Sequence, residues 1–186
     1  MSIPKFLKFL QILQKSSDFV AFKEHICYTF CMKILVVSDT HGSVGPILTA
    51  IDREKPDVII HLGNDVNDLK DINFKGQIYG VKGPFDFNKK LRTMAKVFYD
   101  KTAILYLNGH EFHVNQGYNE LVSFATQHGA NIVLFGHTGK ADYFEREGII
   151  FVNPGSMKKR SEATYVTIEL KRAQSPIIMH HDLMKE

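Results

Sequence analysis

Lys33-Ile34-Leu35-Val36-Val37-Ser38-Asp39-Thr40-His41-Gly42 is the stretch that decides the fold. Ile34 to Val37 are apolar in unbroken succession, with no alternation. Such a run predicts a strand over about 33–38 that is buried on both faces, as parallel strands inside α/β domains are. A polar loop with a glycine follows at once. The carboxyl end of a strand in an open α/β sheet is where ligands are held. An Asp and a His two positions apart at that end can both turn toward one metal ion.

Outward from this strand, elements of the two periods alternate. Ile47, Leu48 and Ile51 stand at helical spacing and predict a helix over about 44–54, which Pro56-Asp57 breaks. Val58-Ile59-Ile60 and Ile78-Tyr79-Gly80-Val81 predict the second and third strands. Thr102–Leu107 and Glu111–Asn115 are expected to be strands. Asn119–His128 is expected to be a helix with Leu121, Val122, Phe124 and Ala125 on its inner side. Ile132–Phe135 reads as another buried strand. Ile149–Val152, Thr164–Leu170 and Ile177–His180 read as strands of antiparallel type. Continuous apolar strands early and alternating ones late predict an α/β fold, a mixed sheet or two packed sheets with helices outside.

The 186 residues suit one domain with or without an appendage. A net charge of +3 is a mild excess that gives no strong nucleic-acid signal. No apolar run approaches the roughly 20 residues of a membrane helix. Cys27 and Cys31 have no second pair to complete a zinc site, so they read as reduced thiols of a cytoplasmic protein. Residues 1–31 differ in character: Phe6, Leu7, Phe9, Leu10, Ile12 and Leu13 are interleaved with Lys5, Lys8 and Lys15. They predict an N-terminal amphipathic extension before a domain over 32–186. The extension has three readings: a start codon assigned too early at the gene level, a helix docked on the domain, or a helix for a membrane surface or a partner.

Five short polar segments sit just after predicted strands: Asp39-Thr40-His41, Gly63-Asn64-Asp65, Gly83-Pro84-Phe85-Asp86, Asn108-Gly109-His110 and Gly136-His137-Thr138-Gly139. Strands lying side by side would bring them to one edge. In this ordered set, with Ile60-His61-Leu62-Gly63, Tyr79-Gly80-Val81-Lys82-Gly83 and Asn153-Pro154-Gly155-Ser156, the chain from Met32 to about Leu170 resembles the small YfcE-type members of the calcineurin-like metallophosphoesterase superfamily. The resemblance implies a four-layer αββα sandwich of two mixed β-sheets. It also implies a two-metal site, commonly manganese, that hydrolyses phosphodiesters or phosphomonoesters.

The ligand positions of that pattern fall on Asp39, His41, Asn64, Pro84, Asn108, His137 and Gly139. Asn64 stands where the family has a bridging Asp, Pro84 where it has Asn, and Asn108 and Gly139 where it has His. The resemblance therefore leaves Asp39, His41, Asn64, Asn108 and His137 as the metal-binding set. It makes a divalent cofactor, manganese first, or no cofactor the two expectations. Asp86 and His110 are the catalytic candidates: Asp86 as the family's carboxylate or as a turn cap, His110 as a phosphate contact or a structural donor. His137 is a ligand or a loop holder, His61 a core residue, and Lys158-Lys159-Arg160 a solvated run or an anion collector. Two functions follow. The chain is a phosphoesterase with a degraded centre that hydrolyses a phosphate-ester substrate weakly if at all, or an inactive member that binds a protein partner, as the retromer subunit of this fold does.

Overall fold

The computed structural model describes residues 31–185 apart from 71 and 89. The expected extension over 1–31 lies outside the described residues except for Cys31, which opens the first strand. Ten strands follow: β1 Cys31–Val37, β2 Val58–His61, β3 Gln77–Gly80, β4 Met94–Tyr99, β5 Thr102–Leu107, β6 Ile132–Leu134, β7 Ala141–Arg146, β8 Ile149–Pro154, β9 Thr164–Lys171 and β10 Ile177–Asp182. Among the described residues two α-helices accompany them, α1 over Val44–Glu54 and α2 over Asn119–Gln127. The strands form two five-stranded sheets, in the orders β10-β9-β1-β2-β3 and β4-β5-β6-β8-β7.

The unbroken apolar runs are explained by the layers. Successive side chains of a strand point to opposite faces. Ile34 and Val36 of β1 join Val58, Ile60, Ile104, Tyr106, Ile132, Leu134, Val152, Val166 and Ile168 between the two sheets. Their neighbours Leu35 and Val37 face the other way and pack with Ile59, Tyr165 and the α1 residues Ile47 and Ala50. On the second sheet Leu105, Val133, Phe135 and Phe151 meet Leu121, Val122 and Ala125 of α2. A central strand thus has no water-facing side, and each fully buried Leu, Ile or Phe contributes about 1.5–3 kcal/mol. The result is the four-layer αββα arrangement.

Three local expectations are corrected. Glu111–Asn115 is no strand: Gly109 at φ 103 starts a 3-10 turn over His110–Phe112, and the Phe112 ring packs at a tilt against Phe124 of α2. The strand expected at Ile149–Val152 extends to Pro154 and pairs parallel with β6 as well as antiparallel with β7. Finally, β4 and β7 occupy stretches assigned to no element from the sequence. The parallel pairs β1–β2–β3 and β5–β6–β8 are what place the site, because the strands of each set end on the same side of their sheet.

Candidate functional site

Six strand ends meet at one cleft. Asp39 and His41 follow β1, Asn64 and Asp65 follow β2, Gly83 to Asp86 lie beyond β3, Asn108 and His110 follow β5, His137 follows β6, and Asn153 is the last residue but one of β8. Asp39, His41, Asn64, Asp65 and His137 all adopt positive φ, between 45° and 74°. That is a costly conformation for residues with a side chain, and such outliers gather at functional sites. The loops approach closely because glycines separate them. A Cβ on Gly63 would lie 2.5 Å from Gly83 N and 2.8 Å from Asn108 Nδ2, and one on Gly83 would fall onto Asn64 Oδ1.

The polar groups of the cleft are bonded to one another. Asn64 Nδ2 donates to Asp39 Oδ1, and Ser38 Oγ donates to Asp39 Oδ2 at 3.1 Å. The amide nitrogen must be the atom facing Asp39, because an ionised carboxylate only accepts. Asn108 Nδ2 donates to Leu62 O at 2.7 Å, and Asn108 Oδ1 lies 3.1 Å from His110 Nδ1. An amide oxygen cannot donate, so Nδ1 carries the proton there. His110 and His137 stand with ring centroids 6.0 Å apart. Burial holds the His137 pKa below its ordinary value, with nearby His110 acting in the same direction and Asp39 against it. His41 Nδ1 is 3.3 Å from Asp65 Oδ2, and its Nε2 is 4.0 Å from Asp39 Oδ1.

Asp86 occupies a nest of backbone donors. Its two oxygens accept from the N–H groups of Asn64 (2.7 Å), Asp65 (3.0 Å), Val66 (3.0 Å) and Gly83 (2.9 Å). The carboxylate clamps the loop after β2 to the loop after β3, which leaves little of it for chemistry at a substrate.

A second clamp runs beneath Asp39-Thr40-His41. Gly63 N–H donates to His61 Nδ1 at 3.1 Å, so the His61 proton sits on Nε2, 3.2 Å from Thr40 Oγ1. Thr40 Oγ1 in turn donates to Asp68 Oδ2 at 2.7 Å, which also accepts from Gly42 N–H at 2.8 Å. His61 is fully buried, and burial pushes its pKa down to about 4, against the raising pull of Asp86 and Asp68.

All seven site residues named from the sequence therefore lie in one cleft. Asp68, Thr40, Asn153 and Ser156 were not singled out there as site groups. Asn153 Nδ2 donates to Gly136 O, and Ser156 Oγ donates to Asp39 O. Asp68 has no signal of its own, since it lies within a 3-10 turn, Val66–Leu69, with no periodicity. The basic run is solvated: Lys159 pairs with Glu162, and Arg160 reaches Thr49.

A pair of divalent ions makes a demand that this donor set does not meet. Two such ions about 4 Å apart repel by on the order of 16 kcal/mol at an effective dielectric of 20, so they need a shared anion. At that position stands an amide whose nitrogen faces Asp39. The Asn108 amide is engaged on both atoms, and Pro84 and Gly139 bring no side-chain donor. Among the described residues no three His, Cys, Asp or Glu side chains gather to hold an ion. This set does not fit a dinuclear centre.

Comparison with known proteins places the architecture. Residues 32–173 match the calcineurin-like phosphoesterase superfamily domain. The chain is 26% identical over 156 residues to a probable metallophosphoesterase of Mycoplasma pneumoniae, covering 80% of this chain and 96% of that one. It is 33% identical over 99 residues to vacuolar protein sorting-associated protein 29 of Schizosaccharomyces pombe, 53% of each chain. Among solved structures, a novel archaeal phosphodiesterase superposes with a TM-score of 0.62 at 21% identity, over 80% of this chain and all of that one.

Proposed function

The chain belongs to the calcineurin-like phosphoesterase superfamily, and on that premise we propose that it keeps the family's cleft without its two-metal hydrolytic centre and serves as a protein-binding module. Hydrolysis of phosphodiesters is then weak or absent. The observation that carries this reading is the Asn64 amide donating to Asp39. It puts a neutral donor where two cations would need a bridging anion. Asp39, His41, Asn64, Asn108 and His137 then act as a hydrogen-bonded cleft floor, with His110 at its side and Asp86 as an internal clamp.

The rim supports a macromolecular partner. Phe85 is 58% exposed beside the His41 ring and Phe87 is 89% exposed. Aromatic side chains are what interface cores are enriched in. A relative named for vacuolar protein sorting and relatives named as phosphoesterases both match this chain, so the family accommodates either role.

The test is turnover of bis(p-nitrophenyl) phosphate with manganese, beside an Asp39→Ala control. The expected result is no rate above the control. A chain restored at four positions (Pro84→Asn, Asn64→Asp, Asn108→His, Gly139→His) should gain metal-dependent turnover. Robust manganese-stimulated hydrolysis by the natural sequence would overturn the reading.

A further inference from the structure

Each sheet ends in two edge strands, and an edge offers unpaired backbone groups to another chain unless it is short or guarded. β3 has only four residues, and β4 carries Lys96 near its centre. β10 places Ile177 and Met179 along its length; its His180 and His181 bond back to Asn153 and Thr167, and its one acidic group, Asp182, is held by Lys185. β7, Ala141-Asp142-Tyr143-Phe144-Glu145-Arg146, is different. Like β10 it has six residues, no Lys or Pro, and no strand beyond it among the described residues, but it carries opposite charges toward its two ends, Asp142 and Arg146.

The hairpin fixes which backbone groups of β7 point outward. Glu147 and Gly148 form its two-residue turn, both at positive φ (54° and 70°), as a type I′ turn requires. Ile150 N–H donates to Asn131 O and Val152 O accepts from Phe135 N–H, so these two residues of β8 face β6. Ile149, Phe151 and Asn153 therefore face β7 and bond to Arg146, Phe144 and Asp142, their register partners. Tyr143 and Glu145 are left with N–H and C=O turned away from the sheet.

We infer that this edge is the self-association surface of the protein, pairing antiparallel with β7 of a second copy about a two-fold axis at Phe144. In that register Tyr143 lies opposite Glu145 of the second copy and the two exchange backbone hydrogen bonds. Asp142 lies opposite Arg146 of the second copy, twice per dimer by symmetry, with the two Phe144 rings between the ion pairs. The other registers that match outward groups lose this complementarity. One places Asp142 against Phe144, and the other sets Glu145 against Glu145. The charges are already held near the strand: Asp142 Oδ2 accepts from Tyr118 O–H at 2.6 Å and Arg146 donates to Asn119 Oδ1 at 2.9 Å. Tyr143 N–H, now bonded to Asp142 Oδ1 at 2.9 Å, passes to the Glu145 carbonyl of the second copy. The Tyr143 ring is half exposed in the single chain. An isologous contact of this kind closes at two copies.

Sedimentation equilibrium of the full chain, from micromolar to near-millimolar concentration, is the test. A concentration-dependent dimer is expected. Arg146→Asp, which sets like charges opposite each other, should weaken it at least about tenfold. The swap of Asp142→Arg with Arg146→Asp should return it to within about threefold of the natural chain. Tyr143→Pro removes an N–H that β8 does not use, and should weaken the dimer with the circular dichroism spectrum unchanged. A monomer at every concentration, a dimer indifferent to Tyr143→Pro, or a folded swap as weak as the single variant would each overturn the inference. Because Asp142→Arg also removes the acceptor of Tyr118, Tyr143→Pro decides if the swap does not fold.

Discussion

Asn64 is 3% exposed and holds the centre of the cleft through one amide. Its nitrogen serves Asp39, and its oxygen lies 3.5 Å from Phe85 N. Asn64→Asp would set two carboxylates against each other in a buried place, which costs about 2–4 kcal/mol or binds a proton. A lower thermal midpoint is expected for this variant, and manganese should raise it more than it raises the natural chain's. Equal stability in the two chains, with no response to the ion, would contradict the arrangement. Asp86 makes a companion case. Asp86→Ala leaves four N–H groups, three of them buried, without their acceptor, and about 3 kcal/mol or more of stability should be lost in urea unfolding.

His61 supplies a pH signature. Its folded pKa of about 4 lies below the ordinary 6.5, so between these values the unfolded chain binds more protons. The stability due to neutral His61 is therefore complete above about 6.5 and is lost as pH falls toward 4, at most roughly 3 kcal/mol. Chemical denaturation at pH 7 and pH 4.5 should show the loss in the natural chain and a smaller one in His61→Gln. An identical pH dependence in both would show that His61 is not the group responsible.

At the scale of elements, the loops of the cleft depend on strand ends that approach to within van der Waals contact. Gly83→Ala would drive a Cβ onto the Asn64 side chain and to 2.9 Å from Asn108 Nδ2. A loss of about 2 kcal/mol is expected from overpacking of this kind. The central strands were legible in the sequence because both of their faces are buried: Ile34 to Val37, Val58 to Ile60 and Ile132 to Leu134 show no alternation, since neither face meets water. The edges were not legible. β4 mixes Lys96 and Phe98 on its outer face, and β7 carries three charges in six residues, so neither looks like a buried run. Glu111–Asn115 misled by its apolar alternation. Phe112 and Val114 are indeed packed inward, but from a 3-10 turn that Gly109 initiates and from the loop just after it.

Over the whole molecule, the site residues were legible as an ordered set, because a topology with six strand ends on one side converts spacing along the chain into proximity. What the set does there was less legible. Nothing in the residue types alone says that Asp86 faces four N–H donors, or that Thr40 links His61 to Asp68. These clamps hold together the loops that follow β1, β2 and β3. Metal content therefore decides what the cleft does. The most direct measurement is elemental analysis of the purified full chain after loading with manganese and desalting. A cleft without the two-metal centre retains close to zero ions per chain; close to two would show that the dinuclear centre survives.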